Sequence, residues 1–290
     1  EGGYHLVLLA QNDVGWRNLM YLCSEAFLTG FYYKPRIDRE ILEKHAEGLI
    51  AINGHLGSEI GDHLLDYHRT RDQKYWDAAV ESAKWHAQAF GIRHQASGGA
   101  ESAGSADARC LMPDASLPRF YIELQHHVPE QNAINPLLIK LAKEQGLPLV
   151  CDNDAHFLKA TDHDAHDTLI CISTGKGKND PDRMRYPPEL FVKSPAEMKE
   201  LMARYGEDGA AALANTVRIA ESCNVSLPVG ANNAPMVRVR RKASGIGHRA
   251  SAKKGAWSGL PAWDDPAFAG DLTAWYNAYC AEFEVVPFAI

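Results

Sequence analysis

The stretch Leu147-Pro-Leu-Val-Cys-Asp-Asn-Asp-Ala-His-Phe-Leu158 carries the strongest pattern in the chain. Its apolar part, residues 147–151, predicts a short buried strand. Asp154 and His156 follow two residues apart, and side chains at that spacing on an extended chain point to the same side. A carboxylate and an imidazole on one face at the end of a strand supply half of a divalent-metal site.

The same layout occurs twice more. The apolar run 48–52 leads into His55, and the run 6–10 has His5 at its entrance. Three predicted strands that each present a histidine indicate a metallohydrolase-like pocket. For each residue alone a second interpretation stays open, because the chain has 13 histidines and a single one at a strand end is more often a cap or a solvated residue.

The order of the predicted elements indicates an α/β fold. We expect strands over 5–10, 48–52, 119–125 and 147–151, with helices over about 14–27, 39–45, 57–66, 72–90 and 130–145. Such alternation predicts parallel β/α units, whose functional residues gather at the C-terminal ends of the strands. His55, Asp154 and His156 lie at such ends.

The remainder of the chain is predicted to be helical and then irregular. We expect helices over about 162–174, 195–205, 207–224 and 272–283, a flexible Gly, Ala and Ser rich insertion over about 91–117, and a linker over 229–263. The basic run 238–242 lies in that linker, and such runs are more often a solvated face than a binding site. No nucleic-acid-binding residue is therefore assigned.

Composition limits the classes of protein that remain. A net charge of −7 argues against a general nucleic-acid sleeve, and no apolar run reaches the roughly 20 residues of a membrane span. Six scattered cysteines without a C-x-x-C pair favour reduced thiols in a cytoplasmic protein. The start, Glu-Gly-Gly-Tyr-His5, has no initiator Met and no signal-peptide layout, which suggests a fragment of a longer protein.

Several segments between about residues 4 and 230 resemble, in the same order along the chain, segments of one known family. They are Tyr4-His-Leu-Val-Leu-Leu-Ala10, Gly30-Phe-Tyr-Tyr-Lys-Pro-Arg-Ile-Asp38, Glu47-Gly-Leu-Ile-Ala-Ile-Asn-Gly-His-Leu56, Phe120-Tyr-Ile-Glu-Leu-Gln125, the stretch 147–158, Asp164-Ala-His-Asp167 and Ile219-Ala-Glu-Ser-Cys-Asn-Val225. Together they resemble the PHP (polymerase and histidinol phosphatase) domain at the N-terminus of bacterial DNA polymerase III alpha subunits.

The resemblance implies a distorted (β/α) barrel of PHP type over 1–228, followed by helical segments and, over 229–290, a linker and the start of the polymerase core. The matching metal-ligand positions are His5, His55, Asp154 and His156, with zinc or manganese as the expected metal. Further family ligands, an H-x-H motif among them, have no counterpart in this chain. His126, His127, His163 and His166 fall outside the ligand positions.

The resemblance also implies a function for the full-length parent: a DNA-directed DNA polymerase, a nucleotidyltransferase whose Mg²⁺-binding catalytic carboxylates are absent from this chain. Its implied partners are primer-template DNA, deoxynucleotides, a sliding clamp and a proofreading subunit. The PHP site itself is interpreted as hydrolytic, with 3′–5′ exonuclease character, or as a structural brace. The alternative is a stand-alone PHP phosphoesterase that acts on a small phosphate ester.

Overall fold

A computed structural model describes residues 3–91, 118–227, 238–241, 266–268, 271–281 and 283–286. The chain divides into two compact units, Glu1–Leu227 and Pro228–Ile290. No helix in the described ranges is both long enough and apolar enough to cross a membrane. The predicted insertion, from residue 92 onwards, and most of the predicted linker lie outside the described residues.

The larger unit alternates strands and helices as predicted. Its elements are β1 (Val7–Ala10), α1 (Asp13–Leu28), α2 (Arg39–Lys44), β2 (Leu49–Asn53), α3 (Glu59–Thr70), α4 (Gln73–Ala89), β3 (Phe120–Leu124), α5 (Pro129–Gln145), β4 (Leu149–Cys151), α6 (His163–Thr174), α7 (Pro195–Met202) and α8 (Gly206–Ser222). Local signals set several of these ends. Asp38, for example, accepts a hydrogen bond from the Ile41 amide at 2.9 Å, which caps the N-terminus of α2.

The four strands form one mixed sheet in the order β1-β2-β3-β4. Strands β2, β3 and β4 are parallel, as expected, but β1 runs antiparallel to β2, with Val7 opposite Ile52. The α/β class is therefore confirmed. Within the described ranges the sheet is open, and a closed barrel is not seen.

Both faces of the central strands are covered, because every residue of β2 and β3 is buried. One face, with Leu49 and Ile122, packs in the main core that α3, α4 and α5 complete. The other face, with Ile50 and Tyr121, packs against Ile219 of α8. Strands buried on both faces have continuous apolar sequences, which is why the apolar runs identified them.

A buried amide fixes α8 to the edge of the sheet. Asn215 Nδ2 donates a 2.7 Å hydrogen bond to the carbonyl oxygen of Leu149, at the start of β4. Because β4 is an edge strand, this contact satisfies a backbone acceptor that no further strand pairs in the described structure.

The smaller unit contradicts part of the sequence interpretation. Arg238–Arg241 forms a strand, β5, which pairs antiparallel with β6 (Phe283–Val286), so the irregular linker predicted over these four residues is wrong. The last helix, α9, spans Leu272–Ala281, and Phe283 belongs to β6 rather than to that helix.

The prediction that cysteines are buried is confirmed for two of the four whose side chains the structure describes. Cys23, Cys151, Cys171 and Cys223 are free thiols, and Cys151 and Cys171 are buried as expected. Cys23 is exposed on α1 and is therefore not a core residue.

We expect Leu138→Ala to destabilise the larger unit by about 2–5 kcal/mol, because a fully buried leucine leaves a cavity that the core fills only partly. Leu169→Ala is the matched control, since that side chain is 62% exposed on α6. Urea unfolding followed by circular dichroism compares the two midpoints. Equal midpoints would contradict the assignment of α5 to the core.

Candidate functional site

The reversed direction of β1 brings two of the predicted site residues together. His5 lies just before β1, and His55 lies two residues after β2. Because the two strands are antiparallel, the start of β1 is next to the end of β2. The His5 amide donates to the carbonyl oxygen of Gly57 at 2.9 Å, which anchors the approach to the strand. The two imidazole rings lie 5.9 Å apart between centroids.

Gly57 lies next to both imidazole rings. A Cβ on this glycine would be 3.4 Å from His5 Nδ1 and 3.4 Å from His55 Nε2. Both nitrogens therefore border one small space that a larger residue would begin to fill. Two imidazole nitrogens that border the same space are suitable ligands for one zinc or manganese ion.

Glu123, near the C-terminal end of β3, lies next to His55. Its side chain is 1% exposed, and its Oε2 is 3.3 Å from His55 Nδ1. Burial acts to raise the pKa of this carboxyl group, but the hydrogen bonds from His55 and Asp152 outweigh burial and hold the pKa below its usual range. A carboxylate at Nδ1 favours the tautomer with the proton on Nδ1, which leaves Nε2 free as a ligand.

Gln125 joins Glu123 to a second carboxyl group. Its Nε2 donates to Glu123 Oε1 at 2.6 Å and to Asp152 Oδ1 at 3.0 Å. Asp152 is exposed as a whole residue, but local desolvation of its carboxyl group, together with the neighbouring Glu123, raises its pKa to about 8. At neutral pH one proton is therefore held on Asp152 while Glu123 is ionised.

Asp152 also shapes the turn that carries the other two predicted ligands. Its Oδ1 accepts a 2.9 Å hydrogen bond from the Asp154 amide, and Asp154 adopts a left-handed backbone with φ of 47°. The predicted reason for pairing Asp154 with His156 is thus wrong: β4 ends at Cys151, and a turn, not strand alternation, brings them together. Asp154 Oδ1 and His156 Nε2 are 3.3 Å apart.

Neighbouring aromatic residues pack around His156. Its ring lies 4.4 Å from that of Tyr186 and 6.0 Å from that of His166, between centroids. His163 Nε2 lies 2.9 Å from the carbonyl oxygen of Tyr186 and helps to hold this residue. His163 and His166 thus lie closer to the site than the sequence interpretation placed them.

His126 and His127 differ in their relation to the site. His127 Nε2 is 2.7 Å from Gln125 Oε1, which joins this half-buried ring to the carboxyl pair. Burial is the main cause that lowers the pKa of His127. His126 points elsewhere, with Nδ1 2.7 Å from the hydroxyl group of Tyr205.

The four predicted ligands therefore form two pairs, His5 with His55 and Asp154 with His156. In the described part of the chain, no three His, Cys, Asp or Glu side chains come close enough together to hold a metal ion. The donor types of both pairs suit zinc or manganese.

Sequence reasoning missed Glu123, Gln125 and Asp152. A signal for Glu123 was present, because an acidic residue inside the apolar run Phe-Tyr-Ile-Glu-Leu124 is buried and needs a partner. Nothing in the local sequence of Asp152 or Gln125 reveals that they meet across two neighbouring strands.

We expect Glu123→Gln to remove the preference of His55 for the Nδ1–H tautomer, because a neutral amide replaces the carboxylate that holds that proton. Long-range ¹⁵N NMR spectra of the metal-free protein report the two ring nitrogens separately. Glu144→Gln on α5 is the control, since Glu144 pairs only with Lys140, 3.7 Å away, among its described contacts. Unchanged His55 signals in Glu123→Gln would contradict the pairing.

Asp152 gives a pH dependence of stability with a defined sign. Its folded-state pKa of about 8 lies above its ordinary value of 3.8, so the folded state holds a proton that the unfolded state releases between these values. Wild type should therefore lose stability relative to Asp152→Asn as pH rises from about 4 to about 8. Urea unfolding at pH 5 and pH 8 with chelator present measures this difference, and Asp164→Asn, exposed on α6, is the control variant.

The comparison with known protein families agrees with the resemblance. Residues 1–96 match the family model described as PHP domain. The DNA polymerase III subunit alpha of Thermus aquaticus is 39% identical over 235 residues, which is 79% of this chain and 16% of that protein. The DNA polymerase III subunit alpha of Treponema pallidum is 36% identical over 247 residues, which is 84% of this chain and 18% of that protein.

The matched part of the chain takes in β1 to α4 and the two histidines that meet at Gly57. The chain spans less than a fifth of the length of these relatives. It carries a PHP domain and is homologous, over about four fifths of its length, to the PHP region of the DNA polymerase III alpha subunit.

Proposed function

We propose that the edge of the sheet with His5, His55, Asp154 and His156 is a divalent-metal site that hydrolyses phosphoester bonds in the intact protein. The observation that carries this proposal is that His5 Nδ1 and His55 Nε2 border the same small space beside Gly57, with the Glu123 carboxylate next to His55. Zinc or manganese suits these ligands. We also propose that, in the intact protein, this sheet is part of a PHP-type barrel.

The chain's own residues have separable roles in this proposal. His5 and His55 would hold the metal from one side, and Asp154 and His156 from the other. Glu123 keeps the Nδ1 proton of His55 in place, so that Nε2 stays available. Asp152 holds the backbone of Asp154 through its amide. A metal bound there would lower the pKa of a coordinated water to about 7 and neutralise charge on a phosphoryl group.

We also infer the setting in which this region acts. The named relatives are polymerase subunits much longer than this chain. We propose that the intact protein is a cytoplasmic DNA-directed DNA polymerase with its own Mg²⁺ site. Primer-template DNA and deoxynucleotides would be its substrates, and a sliding clamp and a proofreading subunit its partners.

The experiment compares the intact protein with its His55→Ala, Asp154→Ala double variant. We expect wild type to retain stoichiometric zinc or manganese by elemental analysis and to shorten a 5′-labelled oligonucleotide from its 3′ end. The double variant should lose most of the metal and at least about a hundredfold in hydrolysis, because second-shell changes alone cost 10–100-fold. A His68→Ala, Asp164→Ala variant, outside the site, is the matched control.

Two results would contradict this function. Wild type without stoichiometric metal would refute the ligand assignment and leave the domain as a brace for the polymerase. Hydrolysis of a small phosphate ester without loss of nucleotides from DNA would favour a stand-alone phosphoesterase instead.

A further inference from the structure

The loop between α6 and α7 runs alongside the turn that follows β4. The His156 amide donates to the carbonyl oxygen of Leu190 at 2.8 Å, and the Val192 amide donates to that of Phe157 at 3.0 Å. Phe157 and Phe191 also form an isolated parallel bridge. The loop therefore holds the backbone of the candidate ligand His156.

The same loop places the side chain of Tyr186 against the imidazole of His156. The two ring centroids are 4.4 Å apart, and the ring planes are tilted by 44°. His166, on α6, meets the Tyr186 ring at 5.4 Å and 70°, and lies 5.2 Å from the Phe157 ring. His156 thus belongs to a cluster of four rings, although its side chain is 32% exposed.

Contacts with α6 fix the position of Tyr186. The Arg183 guanidinium forms a forked ion pair with Asp167 of α6, in which Nη2 donates to Oδ2 at 2.9 Å. The side chains of this pair are 9% and 14% exposed. His163, also on α6, has its Nε2 2.9 Å from the carbonyl oxygen of Tyr186. The ring that packs on His156 is therefore held from the helix beside it.

The ring of His156 is oriented differently from that of His55. A metal-binding histidine usually donates its second ring nitrogen to an acceptor, which fixes the plane of the ring. His55 has Glu123 in this role. His156 Nε2 is 3.3 Å from Asp154 Oδ1, but its Nδ1 has no hydrogen-bond partner among the residues that the structure describes. Packing by Tyr186 is what restricts this ring.

We infer that Tyr186 is a positioning residue for the proposed metal site. Its ring packs against the His156 imidazole and limits its rotation, so that Nε2 stays beside Asp154. This inference rests on the proposed function, because it takes His156 as a metal ligand. The aromatic ring is the part that acts, since the Tyr186 hydroxyl group makes no hydrogen bond within the described ranges.

The other interpretation is that Tyr186 only stabilises the fold by packing. The chain provides a matched control for it in Tyr21, which stacks on His45 with ring centroids 4.1 Å apart and planes at 25°. Tyr21 and Tyr186 are both partly buried. Removal of either ring costs packing against an imidazole, but only His156 is a candidate ligand.

The test is titration of the metal-free intact protein with cobalt(II), followed by visible absorption. Cobalt(II) is the probe because its absorption reports ligand geometry, whereas zinc has a filled d shell. Cobalt bound elsewhere in the protein is measured with the His55→Ala, Asp154→Ala variant and subtracted.

We expect Tyr186→Ala to bind cobalt about tenfold more weakly than wild type and with an altered spectrum, because changes next to metal ligands cost 10–100-fold in affinity. Tyr186→Phe should match wild type in both, since it keeps the ring. Tyr21→Ala should also match wild type. Tyr186→Leu, which keeps apolar volume without a flat ring, replaces Tyr186→Ala if urea unfolding shows that the alanine variant is not folded.

A coupling measurement tests whether the ion pair acts through the tyrosine. Arg183→Lys keeps the charge but loses the forked geometry. We expect it to weaken cobalt binding less than Tyr186→Ala does. In the Tyr186→Ala background it should cause no further loss, because the ring that it holds is gone.

Two results would overturn the inference. One is cobalt binding by the folded Tyr186→Ala or Tyr186→Leu variant that equals binding by Tyr21→Ala. The other is an equal loss in Tyr186→Phe and Tyr186→Ala, which would assign the effect to the hydroxyl group. Wild type that binds no more cobalt than the His55→Ala, Asp154→Ala variant is a separate outcome, which refutes the ligand assignment of the proposed function and this inference with it.

Discussion

The antiparallel pairing of β1 with β2 is the constraint on which the candidate site depends. In an antiparallel pair the start of one strand lies beside the end of the other, so His5, before β1, meets His55, after β2. In a parallel pair these two residues would lie at opposite ends of the strands.

The buried carboxylate of Glu123 is the second determinant, and it is costly. Charge removed from water destabilises the fold unless partners replace the solvent. Here Gln125 and His55 provide hydrogen bonds at 2.6 and 3.3 Å, and Asp152 is a third hydrogen-bonding partner. An apolar side chain at this position would avoid that cost, so the carboxylate is best explained by what it does to His55.

The carboxyl pair also connects two parts of the site that are distant in sequence. Glu123 acts on His55 after β2, whereas Asp152 holds the Asp154 amide after β4. Gln125 joins them across neighbouring parallel strands. Glu123, Gln125 and Asp152 thus form one hydrogen-bonded group that supports both candidate ligand pairs. A substitution of Gln125 should therefore alter the positions of both pairs.

The sequence by itself determined the α/β class, the positions of nearly all elements in the larger unit, and the four candidate ligands. Apolar runs and helical periodicity are local patterns, and burial of β2 and β3 on both faces made them easy to recognise. Only the tertiary structure decided the direction of β1, the turn that joins Asp154 to His156, and the meeting of Glu123 with Asp152. Strand direction and contacts between strands depend on how distant segments pack, and no local pattern encodes that packing.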